Sequence, residues 1–323
     1  MDPLASLLHE VRSNGALFGR NFLAPPWSVR FADGTPLTIV TLLRGQAWIV
    51  PEDGDGRPDA EPVALRPGDV AVVAGAEPFS IADDPGAQAP PLYVVHPDRC
   101  TTADGADVSD DVYLGLRTCG NCPDGPTVLL TGSYKVDGRV SERLLSALPR
   151  VLVVRHDEPE PILQLTAAEI SRDDPGQQAV LDRLLDLLLL STLREWFTRP
   201  EADPPAWYRA LGDPVAGRAL RLIHDRPAHP WTVTGLAEES GVSRATLARR
   251  FTGLVGRPPM AYLTDWRLAL AADLLARTDA TVDTIARRVG YQSAFGLSVA
   301  FKRVYGTRPS HHRATATAQA ALR

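Results

Sequence analysis

The chain is poor in sulfur. Its 323 residues hold three Cys and two Met, too few thiols for the disulfide framework of a small secreted protein. It also lacks a long apolar run. The greasiest stretch, Leu184–Leu190, is interrupted by Asp186 and falls far short of the ~20 residues of a membrane-crossing helix. The opening MDPLASLLHEVRSNG has no basic patch ahead of an apolar core, so it does not read as a signal peptide. No His occurs between His9 and His96. What remains is 44% hydrophobic, enough for true cores. The expectation is a cytoplasmic chain of about two domains with no membrane partner.

Positive charge is scarce as well. There are 34 Lys and Arg against 39 Asp and Glu, a net of −5 with a pI near 5.8. Taken whole, that argues against a nucleic-acid partner. Taken by segment, it does not. Residues 207–323 carry 17 Lys and Arg against 8 Asp and Glu, a net of +9, which leaves −14 on residues 1–206. A concentrated positive segment is what phosphate binding needs.

That segment repeats itself. TVTGLAEESGVSRATLARRFTGLVGRPP starts at Thr232, and TVDTIARRVGYQSAFGLSVAFKRVYGTRPS starts at Thr281. Ala237 and Gly241 match Ala286 and Gly290 at an offset of 49, and Ser243, Phe251, Gly256 and Pro259 match Ser293, Phe301, Gly306 and Pro309 at 50. One residue is therefore inserted in the second turn. Each copy has the layout of a helix-turn-helix. A small Ala permits close helix approach, a Gly four residues on ends the first helix in a left-handed conformation, and a Ser caps the next helix. Leu247 with Phe251, and Leu297 with Phe301, lie at helical spacing as core residues. Between the copies, Tyr262, Trp266, Leu270, Ala271, Leu274 and Leu275 mark one long helix that holds the two reading units at fixed separation.

The motifs A-x3-G, LARRF, G-x-P-P-x-x-Y, R-x3-A-x-x-L-L, I-A-x-x-V-G-Y-x-S and F-K-R-x-x-G-x-x-P-S-x-x-R, from about Arg218 to Arg313, resemble the AraC/XylS family of transcription regulators. The resemblance implies a double-stranded DNA operator as partner. It also implies that the N-terminal half of each recognition helix faces the groove. In the first helix, Ser243, Arg244, Thr246, Arg249 and Arg250 are the candidates. Arg249 matches the family's base-reaching Arg, and Arg can bond guanine bidentately. Arg244 and Thr246 are assigned to phosphate, and Arg250 to base, phosphate or the neighbouring core. The second helix departs from the family pattern, with Ala294, Phe295, Gly296 and Val299 where polar residues are usual. These suit thymine-methyl or shape contacts but few hydrogen bonds. The second unit is therefore expected mainly to grip backbone through Ser293, Ser298, Lys302 and Arg303.

Residues 1–165 alternate short apolar runs with turn residues, as in a small antiparallel barrel. The stretch GDVAVVAGAEPFSIADD, after RGQAWIVPEDG, resembles a cupin barrel, which such regulators often carry as a sensor. The overall expectation is α+β: an N-terminal cupin-like antiparallel β-barrel over 1–165, a connector over 166–206, and an all-α domain with two helix-turn-helix units over 207–323. Cupin enzymes hold metal through His-x-His, Glu and a later His. Here the region is His-free, and the position of the family's later His would fall near Phe79. That speaks against a metal-dependent cupin enzyme fused to a DNA-binding domain, the competing reading, and for a non-enzymatic sensor. Trp27, Trp48, Phe79 and Tyr93 are candidates to line an effector pocket, or to fill the barrel.

His96, Cys100, Cys119 and Cys122 offer an imidazole and three thiolates, a set suited to tetrahedral Zn2+. The C-G-N-C pair suits a reversible disulfide equally well, and unrelated thiols are the third possibility. Finally, the helix after Pro175 carries Val180, Leu181, Leu184, Leu185, Leu188 and Trp196 on one stripe. Leu187, Leu190, Leu193 and Phe197 widen it. A stripe so wide suggests a homodimer contact or more extensive packing within the chain.

Overall fold

The computed structural model describes residues 18–321 except 54–56, 87–88, 116, 135–137, 157–159, 173, 200–201 and 203. Two compact units emerge. Among the described residues, one is drawn from 18–134 and 148–202, the other from 138–147 and 204–321. Most of the span expected as a connector thus groups with the strands, and a short segment between two strands groups with the helices.

The strand unit contains β1 (Phe18–Leu23), β2 (Ser28–Phe31), β3 (Leu37–Arg44), β4 (Ala47–Pro51), β5 (Val63–Leu65), β6 (Val70–Ala74), β7 (Phe79–Ala82), β8 (Tyr93–Val95), β9 (Cys100–Thr101), β10 (Tyr113–Gly115), β11 (Thr118–Gly120), β12 (Thr127–Tyr134) and β13 (Val151–Val154). They form a seven-stranded sheet, β10-β11-β1-β12-β3-β6-β13, and a six-stranded sheet, β5-β4-β7-β2-β8-β9. Most pairs are antiparallel, but β1 with β11 and β2 with β8 run parallel. A core between the sheets joins Leu23, Val40, Leu42, Ala71 and Leu129 from one to Val29, Phe31, Ile49, Phe79 and Tyr93 from the other.

Four helices accompany the strands in sequence: α1 (Ser109–Val112), α2 (Arg139–Leu145), α3 (Pro161–Glu169) and α4 (Gln177–Trp196). Of these, α2 belongs to the helical unit. Strands β3 and β6 are buried along nearly their whole length, as strands covered on both faces are. The Tyr134 hydroxyl donates to the Leu185 carbonyl at 2.6 Å, and so ties α4 to the end of β12. Leu181, Leu185, Leu188, Leu189 and Leu193 are fully buried along α4, and Phe197 follows them. Leu193 and Phe197 pack within the chain, one of the two alternatives open for the widened stripe. Val180, expected on the buried stripe, is exposed.

The helical unit continues with α5 (Ala206–Ala210), α6 (Ala216–Asp225), α7 (Val233–Glu239), α8 (Arg244–Val255), α9 (Pro259–Arg277), α10 (Val282–Arg288), α11 (Ala294–Tyr305) and α12 (Pro309–Ala321). Two cores mirror the sequence repeat. Leu236, Ala237, Leu247 and Phe251 join one with Tyr262 and Trp266, while Ile285, Ala286, Leu297 and Phe301 join the other with Leu268 and Leu275. Leu270 packs against both, so α9 is the shared spine. Against it, the His224 ring of α6 lies 4.1 Å from Trp266, centroid to centroid, and its Nε2 is hydrogen-bonded to the Tyr262 hydroxyl at 2.9 Å.

Candidate functional site

The two reading units are built from the same local chemistry. Thr232 and Thr281 cap α7 and α10 by accepting from the backbone N–H three residues on. Gly241 and Gly290 then take φ of 69° and 91°, a conformation that favours glycine. Next, the Val242 N–H donates to Ala237 and the Tyr291 N–H to Ala286, at 3.0 and 2.8 Å. The two turns therefore match up to this residue, and the inserted one is Gln292. Ser243 and Ser293 cap α8 and α11, each accepting at 3.2 Å from the third residue on. Gly256 and Gly306 end these helices at φ 77° and 73°.

The exposed face of α8 presents Ser243, Arg244, Ala245, Arg249 and Arg250. Among the described residues, no hydrogen bond or ion pair engages the guanidinium of Arg244 or Arg249. Arg250 differs. Its guanidinium donates to Asp213 at 2.9 Å, and Asp213 also accepts the N–H groups of Val215 and Ala216 at the start of α6. The ion pair with Asp213 gives Arg250 a bracing role that was not among the three expected. The Thr246 hydroxyl is hydrogen-bonded to Ser243 at 2.9 Å.

The exposed face of α11 reads otherwise. Phe295 is 78% exposed and Val299 55%, followed by exposed Lys302 and Arg303. Ser298 is half-buried, and its hydroxyl donates to the Ala294 carbonyl at 2.7 Å, an internal bond that competes with a phosphate contact. Arg267, from the R-x3-A motif, is a positioning residue. It donates to the Pro227 and His229 carbonyls, each at 2.7 Å.

The four sensor donors are not brought together. Among the described residues, no group of three or more His, Cys, Asp or Glu could hold a metal ion. His96 Nε2 is hydrogen-bonded to the Thr101 hydroxyl at 3.1 Å. All three thiols are free. Burial pushes the Cys100 thiol up, and burial with the nearby Cys100 pushes Cys119 up to about 11. Raised thiol pKa values leave Cys100 and Cys119 weak nucleophiles, and the four donors are not gathered into a set that fits tetrahedral zinc. The Gly and Asn of C-G-N-C answer to strand geometry. Gly120 sits at φ 139°, where a Cβ would overlap the Phe22 carbonyl oxygen. The Asn121 side chain accepts from the Ala24 N–H at 2.9 Å and donates to the Ala24 carbonyl at 3.0 Å. Of the pocket candidates, Trp27, Phe79 and Tyr93 pack in the inter-sheet core, with Phe79 stacked on Phe31 at 4.9 Å. Trp48 lies outside that cluster, since its neighbours Ala47 and Ile49 take the inward positions on β4.

The comparisons agree with this geometry. A Cupin family model matches residues 2–198, and a Helix-turn-helix domain model matches 236–315. An AraC-like transcription regulator of Streptomyces lividans is 31% identical over 97% of this chain and 98% of its own. Another, of Streptomyces antibioticus, is 32% identical over the same shares. The chain belongs to the AraC-like transcription regulators. The HTH-type transcriptional regulator AlkR of Acinetobacter baylyi is similar too, at 26% identity over 97% and 99% of the two chains.

This is therefore a DNA-binding transcription regulator with a cupin domain rather than an enzyme. No helix among its described residues is long and apolar enough to cross a membrane. Sequence reasoning missed two polar pairings. One is Arg250 with Asp213. The other lies in the regulator's cupin core, where the Tyr93 hydroxyl donates to Asn21 at 3.0 Å. Burial, with Cys119 and Cys100 nearby, holds the Tyr93 hydroxyl well above the usual phenol range. The first pairing spans 37 residues and the second 72. No local pattern carries either.

Proposed function

We propose that the regulator binds its operator as a homodimer in which each protomer reads a two-part site, one half-site through α8 and the other through α11, and that its cupin unit responds to a small organic effector. The observation that carries the DNA reading is the pair of unengaged guanidiniums, Arg244 and Arg249, on the exposed face of a capped helix. The start of a recognition helix meets base edges, where Arg249 takes guanine O6 and N7. Arg244, Ser243 and Thr246 hold phosphates, as do Ser293, Lys302 and Arg303 on the second unit. Support for a dimer is the apolar surface left on α3 and α4, where Leu165, Val180 and Leu187 are 60%, 45% and 50% exposed. An organic effector is favoured over zinc because no three of these donors are gathered among the described residues, and over an oxidant because burial raises the Cys100 and Cys119 thiols.

Selection from random duplex DNA by the full chain tests this reading. The expected result is a two-part sequence whose first half contains guanine that Arg249→Ala no longer selects. Recovery of unenriched DNA overturns it.

A further inference from the structure

The two recognition helices place different chemistry at equivalent positions. At the repeat's offset of 50, Phe295 stands where α8 has Ala245, and Val299 stands where α8 has Arg249. The equivalence is structural, because both helices start from a Ser cap with the same bond and end on a left-handed Gly. Their inward faces also correspond, Leu247 and Phe251 to Leu297 and Phe301, all fully buried. Rotation about the helix axis is thereby fixed. The residues at 295 and 299 must face where those at 245 and 249 face.

At those positions α11 carries no hydrogen-bonding side chain. Exposing a phenyl ring and an isopropyl group to water is costly, and neither serves the unit's core. Positive charge sits further along the same face, at Lys302 and Arg303. The stripe is therefore apolar at the end that meets bases and basic towards the other end. The one apolar group in the major groove that distinguishes a base pair is the C5-methyl of thymine. We infer that α11 is a base-reading helix whose code is apolar, with Phe295 and Val299 packing against thymine methyls in the second half-site. This revises the expectation that the second unit mainly grips backbone. It rests on the proposed operator reading and names the chemistry of one half of it.

Deoxyuridine provides a clean test, since it lacks only that methyl and keeps every hydrogen-bonding group. The full chain first selects its site from random duplex DNA. The selected duplex is then made with deoxyuridine replacing thymidine in one half-site or the other, and affinities are measured by mobility shift. Burial of one methyl is worth about a fourfold change in affinity. The substitution in the second half-site is therefore expected to weaken wild-type binding about fourfold per contacted thymine. The Phe295→Ala, Val299→Ala double variant should bind both duplexes alike, and both residues are exposed, so its thermal melt should match the wild type. A specific site whose second half has no thymine overturns the inference and leaves the operator reading standing. So does wild-type affinity indifferent to the methyls. The same holds if the double variant retains full operator affinity and full methyl sensitivity while losing transcriptional output, which would make the apolar pair a protein-docking surface. Failure to select any sequence overturns both readings together.

Discussion

The carboxylate of Asp273, on α9, accepts the backbone N–H groups of Arg139 and Val140, at 2.6 and 3.3 Å. It thereby caps the start of α2. Gly138 allows the approach, since a Cβ there would lie 2.6–2.7 Å from the carboxylate. Val140 is fully buried in the same core as Leu247 and Phe251, so α2 is integral to the first reading unit. Removing the cap by Asp273→Ala leaves two N–H groups at a largely buried helix start. The expected cost is about 1–3 kcal/mol, read as a lower denaturation midpoint.

The same carboxylate sets a pH dependence. Burial raises its pKa to about 6, further raised by Glu142 and opposed by the two backbone bonds and Arg139. An acid whose folded pKa lies above its unfolded value binds more protons when folded. Stability must then fall as pH rises between about 4 and 6 and level off above. The shift corresponds to about 3 kcal/mol at most. Asp273→Asn cannot titrate, so the difference in unfolding free energy between wild type and variant is expected to change across pH 4–6 and be constant above 7. A constant difference throughout would refute the assignment.

Three basic residues should give three different phenotypes. Arg249→Ala is expected to cost about 1–3 kcal/mol on the selected site and to relax selectivity at one base pair. Lys302→Ala should weaken all sequences equally and lower the slope of log affinity against log salt by about one. Arg250→Ala should change affinity least, because its guanidinium is held by Asp213. Mobility shifts at several salt concentrations separate the three.

Gly296 lies in the first turn of α11, and a methyl there would meet Ser293 Oγ at 3.6 Å and Tyr291 Cδ1 at 3.9 Å. Both are ordinary contacts. Gly296→Ala is therefore expected to stabilise the second unit by up to about 1 kcal/mol through reduced freedom of the unfolded chain. A thermal melt of the full-length variant checks the direction.

Much of this was legible in the sequence where the signal is local. The repeat predicted the caps at Ser243 and Ser293, the left-handed glycines and the shared spine, because a helix-turn-helix is built from contacts a few residues apart. The short apolar runs between turn residues read as strands for the same reason, and β3, β6 and β12 are among them. What stayed hidden was non-local. Strand β1 pairs with β11 about a hundred residues on. The cap on α2 comes from Asp273, more than 130 residues away. Within C-G-N-C, the constraints on Gly120 and Asn121, set by the Phe22 carbonyl and by Ala24, appear only once β1 lies beside β11. Val180 was misplaced because the 3.6-residue period marks an apolar stripe and not its exact edge.

That edge bears on assembly. Leu181, Leu185, Leu188 and Leu193 are consumed by the core of the strand unit, which leaves Val180 and Leu187 on the exposed side of α4. They lie seven residues apart, two helical turns, as the contact positions of paired helices do. A charge at Leu187 would be harmless on a solvated face and disruptive in a dry seam. Leu187→Glu is therefore expected to shift the full chain from dimer to monomer in sedimentation while leaving its melting temperature at low protein concentration unchanged. Operator affinity should fall with it, since two linked readers gain from effective concentration what one reader lacks. A variant that sediments as the wild type does would remove α4 from the interface.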